Sequence, residues 1–164
     1  LKSNKKKIAV SACLLGVACR YNGKAFGDSI APFLDIYDII PICPEQMGGL
    51  ATPRTPCEIQ GGDGDKVLSG DASVVDKDGI DRTGYFIKGA LDALEVMEEE
   101  DISIAILKSR SPSCGSGEIY SGEFDGKLKQ GDGVVAALFK KMGIMIHNEV
   151  TCLNIKEMDI NEKA

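Results

Sequence analysis

The chain has no tryptophan and a single histidine, His147, in 164 residues. A metal site built on imidazoles is therefore excluded. Any soft-metal site has to lean on thiolates, which favour zinc, copper(I) or iron–sulfur clusters. No Cys-x-x-Cys spacing occurs among the six cysteines, which removes the zinc ribbon and the thioredoxin-type redox pair. No run approaches the roughly 18 apolar residues of a membrane-spanning helix. The opening residues Leu1–Asn4 carry no apolar leader, so a cytoplasmic location is expected. An excess of positive charge is also missing. Lys plus Arg is 19 against 25 for Asp plus Glu, a formal net charge of −6, which weighs against a nucleic-acid partner. The one basic run, Lys5–Lys7, directly precedes an apolar segment and reads as its solvated lead-in.

What is present is an ordinary globular composition, 43% apolar and 27% charged. A chain of this length buries about 70% of its unfolded surface around one core. Residues 1–164 are therefore expected to form one domain. Residues 7–12 read as a buried strand ending at Cys13, and residues 38–42 as a second strand ending at Cys43, with Pro41 removing one ladder donor. Asp28 or Ser29 would cap a short helix through Leu34 between them. Residues 44–64, rich in Gly and Pro, read as a long functional loop. Residues 66–69 and 72–75 read as short extended arms, a surface hairpin over 64–80. The segment Asp76-x-Asp78-Gly79-x-Asp81 fails the EF-hand pattern, because Ile87 stands where the twelfth-position Glu belongs.

The strongest helix signal covers 84–99, with Thr83 as its cap and Ile87, Ala90, Leu91, Leu94 and Met97 as its apolar stripe. Its acidic end, Glu98–Asp101, opposes the helix dipole and predicts a stop there. Residues 102–107 are apolar on both faces, which suits a central parallel strand. A polar segment over 118–126, a helix over 133–142 ending at Gly143, a short strand over 144–146 and a polar tail from about 154 complete the chain. This order predicts an α/β fold: a Rossmann-like, open, mostly parallel sheet with helices on both faces. No GxGxxG follows the first strand, which disfavours a dinucleotide fold.

Cys13 and Cys43 follow two predicted strands, and Cys114 follows a third with six residues between. In an open parallel sheet the carboxyl ends share one edge, where ligands bind, so three thiols distant in sequence should converge. The alternative is three small buried hydrophobes. Gly16, Gly48, Gly49 and Gly115 would let backbone approach a bulky inorganic group, while Pro44 and Pro112 stiffen the loops. Glu45 is a candidate acid or base, or else a cap or salt-bridge partner. Ser111 is a candidate proton relay, or else a hydroxyl bonding its own loop. Arg54 and Arg110 would line a pocket for a carbonyl-bearing or anionic ligand, or else pin loops. Tyr21 could stack on a planar ring or simply pack. Cys19 and Cys57 could pair or support the site; Cys152 and His147 read as structural.

Three blocks carry a resemblance. They are Ser11-Ala12-Cys13-Leu14-Leu15-Gly16, Cys43-Pro44-Glu45 with Gly48-Gly49-Leu50-x-x-Pro53-Arg54, and Lys108-x-x-Ser111-Pro112-Ser113-Cys114-Gly115. The chain resembles the DUF523 family, which includes iron–sulfur-dependent thiouracil desulfidases, from residue 8 to about residue 146. The resemblance implies a [4Fe-4S] cluster held by Cys13, Cys43 and Cys114, whose fourth iron takes sulfur from the substrate. It also implies Glu45 and Ser111 as proton-handling residues and a small thiolated heterocycle, such as a thiopyrimidine, as substrate. Three other readings stand beside it: a metal- or redox-sensing module, an anion- or nucleotide-binding protein with structural cysteines, and a sulfur carrier using one thiolate.

Overall fold

A computed structural model describes residues 4–25, 30 and 35–152. Its centre is a four-stranded parallel sheet in the order β2–β1–β5–β8, formed by β1 (Lys7–Ser11), β2 (Asp38–Ile42), β5 (Ile104–Ile106) and β8 (Met145–His147). β1 pairs with β2 along its whole length, Lys7 opposite Asp38 through Ser11 opposite Ile42, and β5 pairs with β1 and β8. Pro41 is tolerated because β2 is an edge strand. The period of two along the strands divides the core in two. Ala9 and Ala105 face helices α3 (Thr83–Glu99) and α4 (Val134–Lys141). Ile8, Val10, Ile104 and Ile106 face the other way, onto Leu14 of a 3-10 turn (Ala12–Leu15), Cys19, Ile30, Tyr37 and Cys152. Helical segments thus cover both faces, as expected of this α/β order.

The helix over 84–99 begins one residue early. Thr83 does not cap it; Arg82 holds the N-cap position. The Asp81 carboxylate accepts the Thr83 N–H at 2.8 Å. The Thr83 hydroxyl instead accepts the Val74 N–H at 3.0 Å and ties α3 to a neighbouring strand. The buried face of α3 is Phe86, Ala90, Ala93 and Met97, while Leu91, expected in the stripe, is exposed. Ala90 and Met97 of the expected stripe are buried and Ile87 and Leu94 pack against the core from its margin, so the stripe holds except at Leu91, with Phe86 and Ala93 added to it.

Two small antiparallel pairs flank the sheet. The hairpin expected over 64–80 has different arms: β3 (Cys57–Gln60) pairs with β4 (Ser73–Asp76). Residues 66–69 belong to a helix, α2 (Gly64–Ser69). Asp63 accepts the Lys66 N–H at 3.3 Å and Gly70 closes the helix at φ +87°. This Asp and Gly bracket outweighs the strand-like Val67-Leu68 pair. The polar segment from 118 contains β6 (Glu118–Tyr120), paired with β7 (Leu128–Gln130). The loop after Cys43 is not loop throughout, since α1 (Pro44–Met47) and β3 both fall in it. Asp76 is buried, and its carboxylate accepts the Asp78 and Ile80 N–H groups and the Arg82 guanidinium. The short helix expected to end at Leu34 and the tail from 154 lie outside the described residues. Among the described residues no helix is long and apolar enough to cross a membrane.

Glycine sets how closely α1 meets α3. A Cβ on Gly89 would stand 2.0 Å from the Pro44 carbonyl oxygen, and one on Gly48 would stand 2.0 Å from that of Tyr85. Gly48 therefore admits another helix, and not an inorganic group as its position beside Cys43 suggests. Gly89→Ala should destabilise the protein by about 2 kcal/mol, despite alanine's better helix propensity, because backbone must move. Urea unfolding checks this; an unchanged midpoint would contradict the close approach.

Candidate functional site

Parallel pairing puts the carboxyl ends of β1, β2 and β5 on one edge. A cavity of about 350 Å³ opens there and is lined by Cys13, Cys43 and Cys114, together with Glu45, Arg54, Arg110 and Ser111. All seven residues singled out in the sequence therefore meet in one place. Cys19 and Cys57 line it too, so five of the chain's six cysteines do, and all are free thiols. Tyr21, Tyr120 and Phe124 supply aromatic surface. The β6–β7 hairpin reaches the cavity because Glu58 Oε1 accepts the N–H groups of Gly122 and Phe124, at 2.9 and 3.2 Å.

Each block has its own local reason for its shape. Cys43 is the extended N-cap of α1 and Pro44 occupies the first helical turn, where a missing N–H costs nothing. Glu45 follows in that first turn. The third block sits on the amino end of α4. The Pro112 carbonyl accepts the Val134 N–H at 2.9 Å, and the Ser113 carbonyl accepts those of Val135 and Ala136. Donors that a helix would otherwise leave unpaired thus anchor the loop. Within it, Ser111 Oγ accepts the N–H groups of Ser113 and Cys114 at 3.1 and 3.0 Å. Gly115 serves this turn, since a Cβ there would stand 2.6 Å from the Ser111 carbonyl oxygen. Ser11, at the end of β1, is 3% exposed and accepts the Lys108 N–H at 2.9 Å, joining the first block to the third.

Glu45 is held by both oxygens. Arg54 Nε donates to Oε1 at 3.2 Å and Ser113 Oγ donates to Oε2 at 3.0 Å. The rest of the Arg54 fork is engaged by protein as well: Nη1 donates to the Ala51 carbonyl and Thr52 Oγ1, and Nη2 to the Cys19 carbonyl at 3.0 Å. Arg54 therefore ties α1, its own loop and the Cys19 loop together while lining the cavity. Arg110 differs. Its side chain is 53% exposed and, among the described residues, makes a long 3.9 Å ion pair to Glu118. Its backbone is left-handed at φ +67°, a conformation that non-glycine residues hold at a cost and that clusters at functional sites.

Four of the cavity's thiols are held above the ordinary cysteine value. Burial pushes Cys114 up to about 12, although hydrogen bonds from Ser11 and Ser113 pull the other way. Cys57 stands at about 12 for the same first reason, burial. Cys43 is raised by its hydrogen bond with the Cys19 thiol and then by burial. Cys19 is raised in turn, chiefly by its bond with the Cys13 thiol. Cys19 is thus in contact with two of the three site thiols; the sequence left open whether it pairs or supports the site, and it is a free thiol. Ser113 was missed. Its one signal was its place between Pro112 and Cys114. Among the described residues no group of three or more His, Cys, Asp or Glu is arranged to hold a metal ion.

Behind the cavity wall, Glu149 accepts hydrogen bonds from the Ser109 N–H and hydroxyl and faces Lys108 Nζ at 3.3 Å. Burial acts to raise its pKa, but the Ser109 bonds and the Lys108 charge outweigh this and hold it below the usual value. Its contribution to stability is full above the unfolded value of about 4.3 and fades as pH falls through the lower folded one. Glu149→Gln should therefore flatten the loss of stability below about pH 4, read as urea midpoints across that range. Arg54→Met leaves the Glu45 carboxylate without its buried partner, the two side chains being 16% and 7% exposed. It should destabilise the fold by about 3 kcal/mol, measured the same way.

Known proteins are similar to this chain in sequence and fold. The family model for 2-thiouracil desulfurase matches residues 8–151. The uncharacterized protein YbbK of Bacillus subtilis (strain 168) is 46% identical over 143 residues, 87% of this chain and 95% of that protein. A solved structure described as a [4Fe-4S]-dependent thiouracil desulfidase, TudS, superimposes with a TM-score of 0.82 at 38% identity. That likeness covers 96% of this chain and 99% of that one. With the match running through all three cysteine blocks, the chain belongs to the 2-thiouracil desulfurase family.

Proposed function

We propose that the protein removes sulfur hydrolytically from a small thiolated heterocycle of the thiopyrimidine kind, using a [4Fe-4S] cluster held by Cys13, Cys43 and Cys114. The observation that carries this reading is the convergence of those three thiols and a carboxylate fixed by both oxygens on one cavity. The donor set fits the group, because iron–sulfur clusters are held by cysteine thiolates and the chain has no imidazole-rich alternative. Cys43 and Cys114 would give up their protons on binding, as thiol ligands do. The cluster, when bound, would supply a Lewis-acidic, thiophilic iron without a protein ligand.

The protein's own groups account for the rest. A thiocarbonyl and water become a carbonyl and hydrogen sulfide, so one group must take a proton from water and return it to the products. Glu45 is the base, and its orientation keeps one carboxylate oxygen bonded to Arg54 and the other to Ser113. Ser111 acts behind it in the same chain of hydroxyls, 2.9 Å from Ser113 Oγ. Arg110, exposed at the cavity, receives the substrate's carbonyl or its anionic tautomer, and Tyr21 offers a face for the ring. Arg54 contributes to the same wall but chiefly by holding Glu45. A cytoplasmic setting, where thiols stay reduced, suits six free cysteines. The net charge of −6 suits a small substrate better than a nucleic acid.

Anaerobic reconstitution with iron and sulfide tests this. About four irons and four sulfides per chain are expected in the wild type and are lost in Cys114→Ser. The reconstituted wild type should then convert 2-thiouracil to uracil with equal release of sulfide. A protein that binds no iron, or a Cys114→Ser variant that keeps both iron and activity, would overturn the assignment.

A further inference from the structure

The hydroxyl pair beside Glu45 has a direction, and it can be read from lone pairs alone. Ser111 Oγ accepts two backbone N–H groups, at 3.1 and 3.0 Å. A hydroxyl oxygen has two lone pairs and one proton, so Ser111 can meet Ser113 Oγ, 2.9 Å away, only as donor. Ser113, having accepted there, has its own proton left, and the nearer and stronger acceptor is the Glu45 Oε2 carboxylate oxygen at 3.0 Å, against Cys114 Sγ at 3.7 Å. The order is Ser111 to Ser113 to Glu45. Ser113 is 2% exposed, so water does not compete for this proton.

We propose that Ser113 is the positioning residue for Glu45, and that Ser111 acts on Glu45 only through it. The inference rests on the desulfuration reading for its kinetic consequence, and on the hydrogen bonds alone for its structural one. Two fixed points define the carboxylate plane: Arg54 on one oxygen and Ser113 on the other. Arg54 is itself fixed by three loop acceptors. Ser113 is fixed because its carbonyl accepts the first-turn N–H groups of α4, so the donor sits on a rigid element. Remove the Ser113 hydroxyl and Glu45 keeps its ion pair but can rotate about it. Ser111 loses its only route to the carboxylate. The 3.7 Å approach of Ser113 Oγ to Cys114 Sγ gives the rival account, in which the hydroxyl serves the thiol and not the carboxylate.

The test is a pair of double-mutant cycles with Ser113→Ala and Glu45→Gln. In the cluster-free protein, urea unfolding should show the two substitutions coupled by about tenfold in the folding constant, as for a hydrogen bond to a charged group. Coupling near one would overturn the proposal whatever the enzyme does. In the reconstituted enzyme acting on 2-thiouracil, Ser113→Ala should lower kcat by about a hundredfold. KM should stay within about twofold and iron content should stay full. In the Glu45→Gln background the same substitution should change kcat no further, which a general structural defect would not produce. A Ser113→Ala enzyme with wild-type kcat at full iron would overturn the proposal. So would one whose activity falls only in step with lost iron, since that places the hydroxyl in the service of Cys114. A wild type that carries its full cluster and still leaves 2-thiouracil untouched would instead count against the desulfuration reading, with the unfolding cycle still deciding whether Ser113 holds Glu45.

Discussion

The parallel pairing of β1 with its two neighbours is the constraint on which the rest depends. Parallel strands must start at the same edge of the sheet, so each chain crossover delivers its next segment to the opposite edge. β1, β2 and β5 therefore end together, and Cys13, Cys43 and Cys114 emerge together although 101 residues separate the first from the last by number. Nothing local brings these thiols close. The register does so, and the buried alternation of Ile8, Ala9 and Val10 against Ile104, Ala105 and Ile106 holds the register.

Around that edge the structure is stiffened by backbone rather than by disulfides. Three devices recur: a loop carbonyl accepting a helix's first N–H groups, glycines that let two backbones touch, and one arginine bonded to several loops. Together they hold Glu45 and the Ser111–Ser113 pair in one arrangement while all six cysteines stay reduced. The proposed binding of a bulky inorganic group and a planar substrate would draw on such preorganisation, because closing loops around either would cost ordering entropy. The aromatic and cationic surface is left to the rim, where Arg110 keeps a strained backbone and an exposed side chain.

The electrostatics divide along the same line. The raised thiols Cys19, Cys43, Cys57 and Cys114 line the cavity, and a carboxylate pinned by a guanidinium lines it with them. A buried ion pair such as Arg54 and Glu45 is poor evidence for stability in itself. Here it fixes geometry: Arg54 is committed to Glu45 and to loop acceptors, whereas the Arg110 side chain stays half exposed at the same cavity. The glycines beside the cysteines follow the same logic. Gly48 and Gly115 were read as room for a cofactor, and they are occupied by α3 and by the loop's own carbonyl.

Much of this was legible in the chain before any coordinates. Strand ends falling at Cys13 and Cys43, an apolar run leading to Cys114, and the absence of competing ligand types were enough to place three thiols at one sheet edge, because strand polarity and hydrophobic period are properties of the sequence itself. The shorter elements were less visible. A six-residue helix such as α2 is marked only by its Asp and Gly ends, and two apolar residues inside it imitate a strand. The partners of Glu45 were beyond reach for a different reason. Arg54 is close to it in sequence, but Ser113 is 68 positions away, and which of two serines donates depends on which lone pairs the backbone has already taken. Chemistry of residue types and their placement along strands belonged to the sequence; the direction of a hydrogen bond and the choice between an exposed and a loop-pinning arginine were decided only when distant segments packed, because each is a competition between neighbours that the linear chain does not contain.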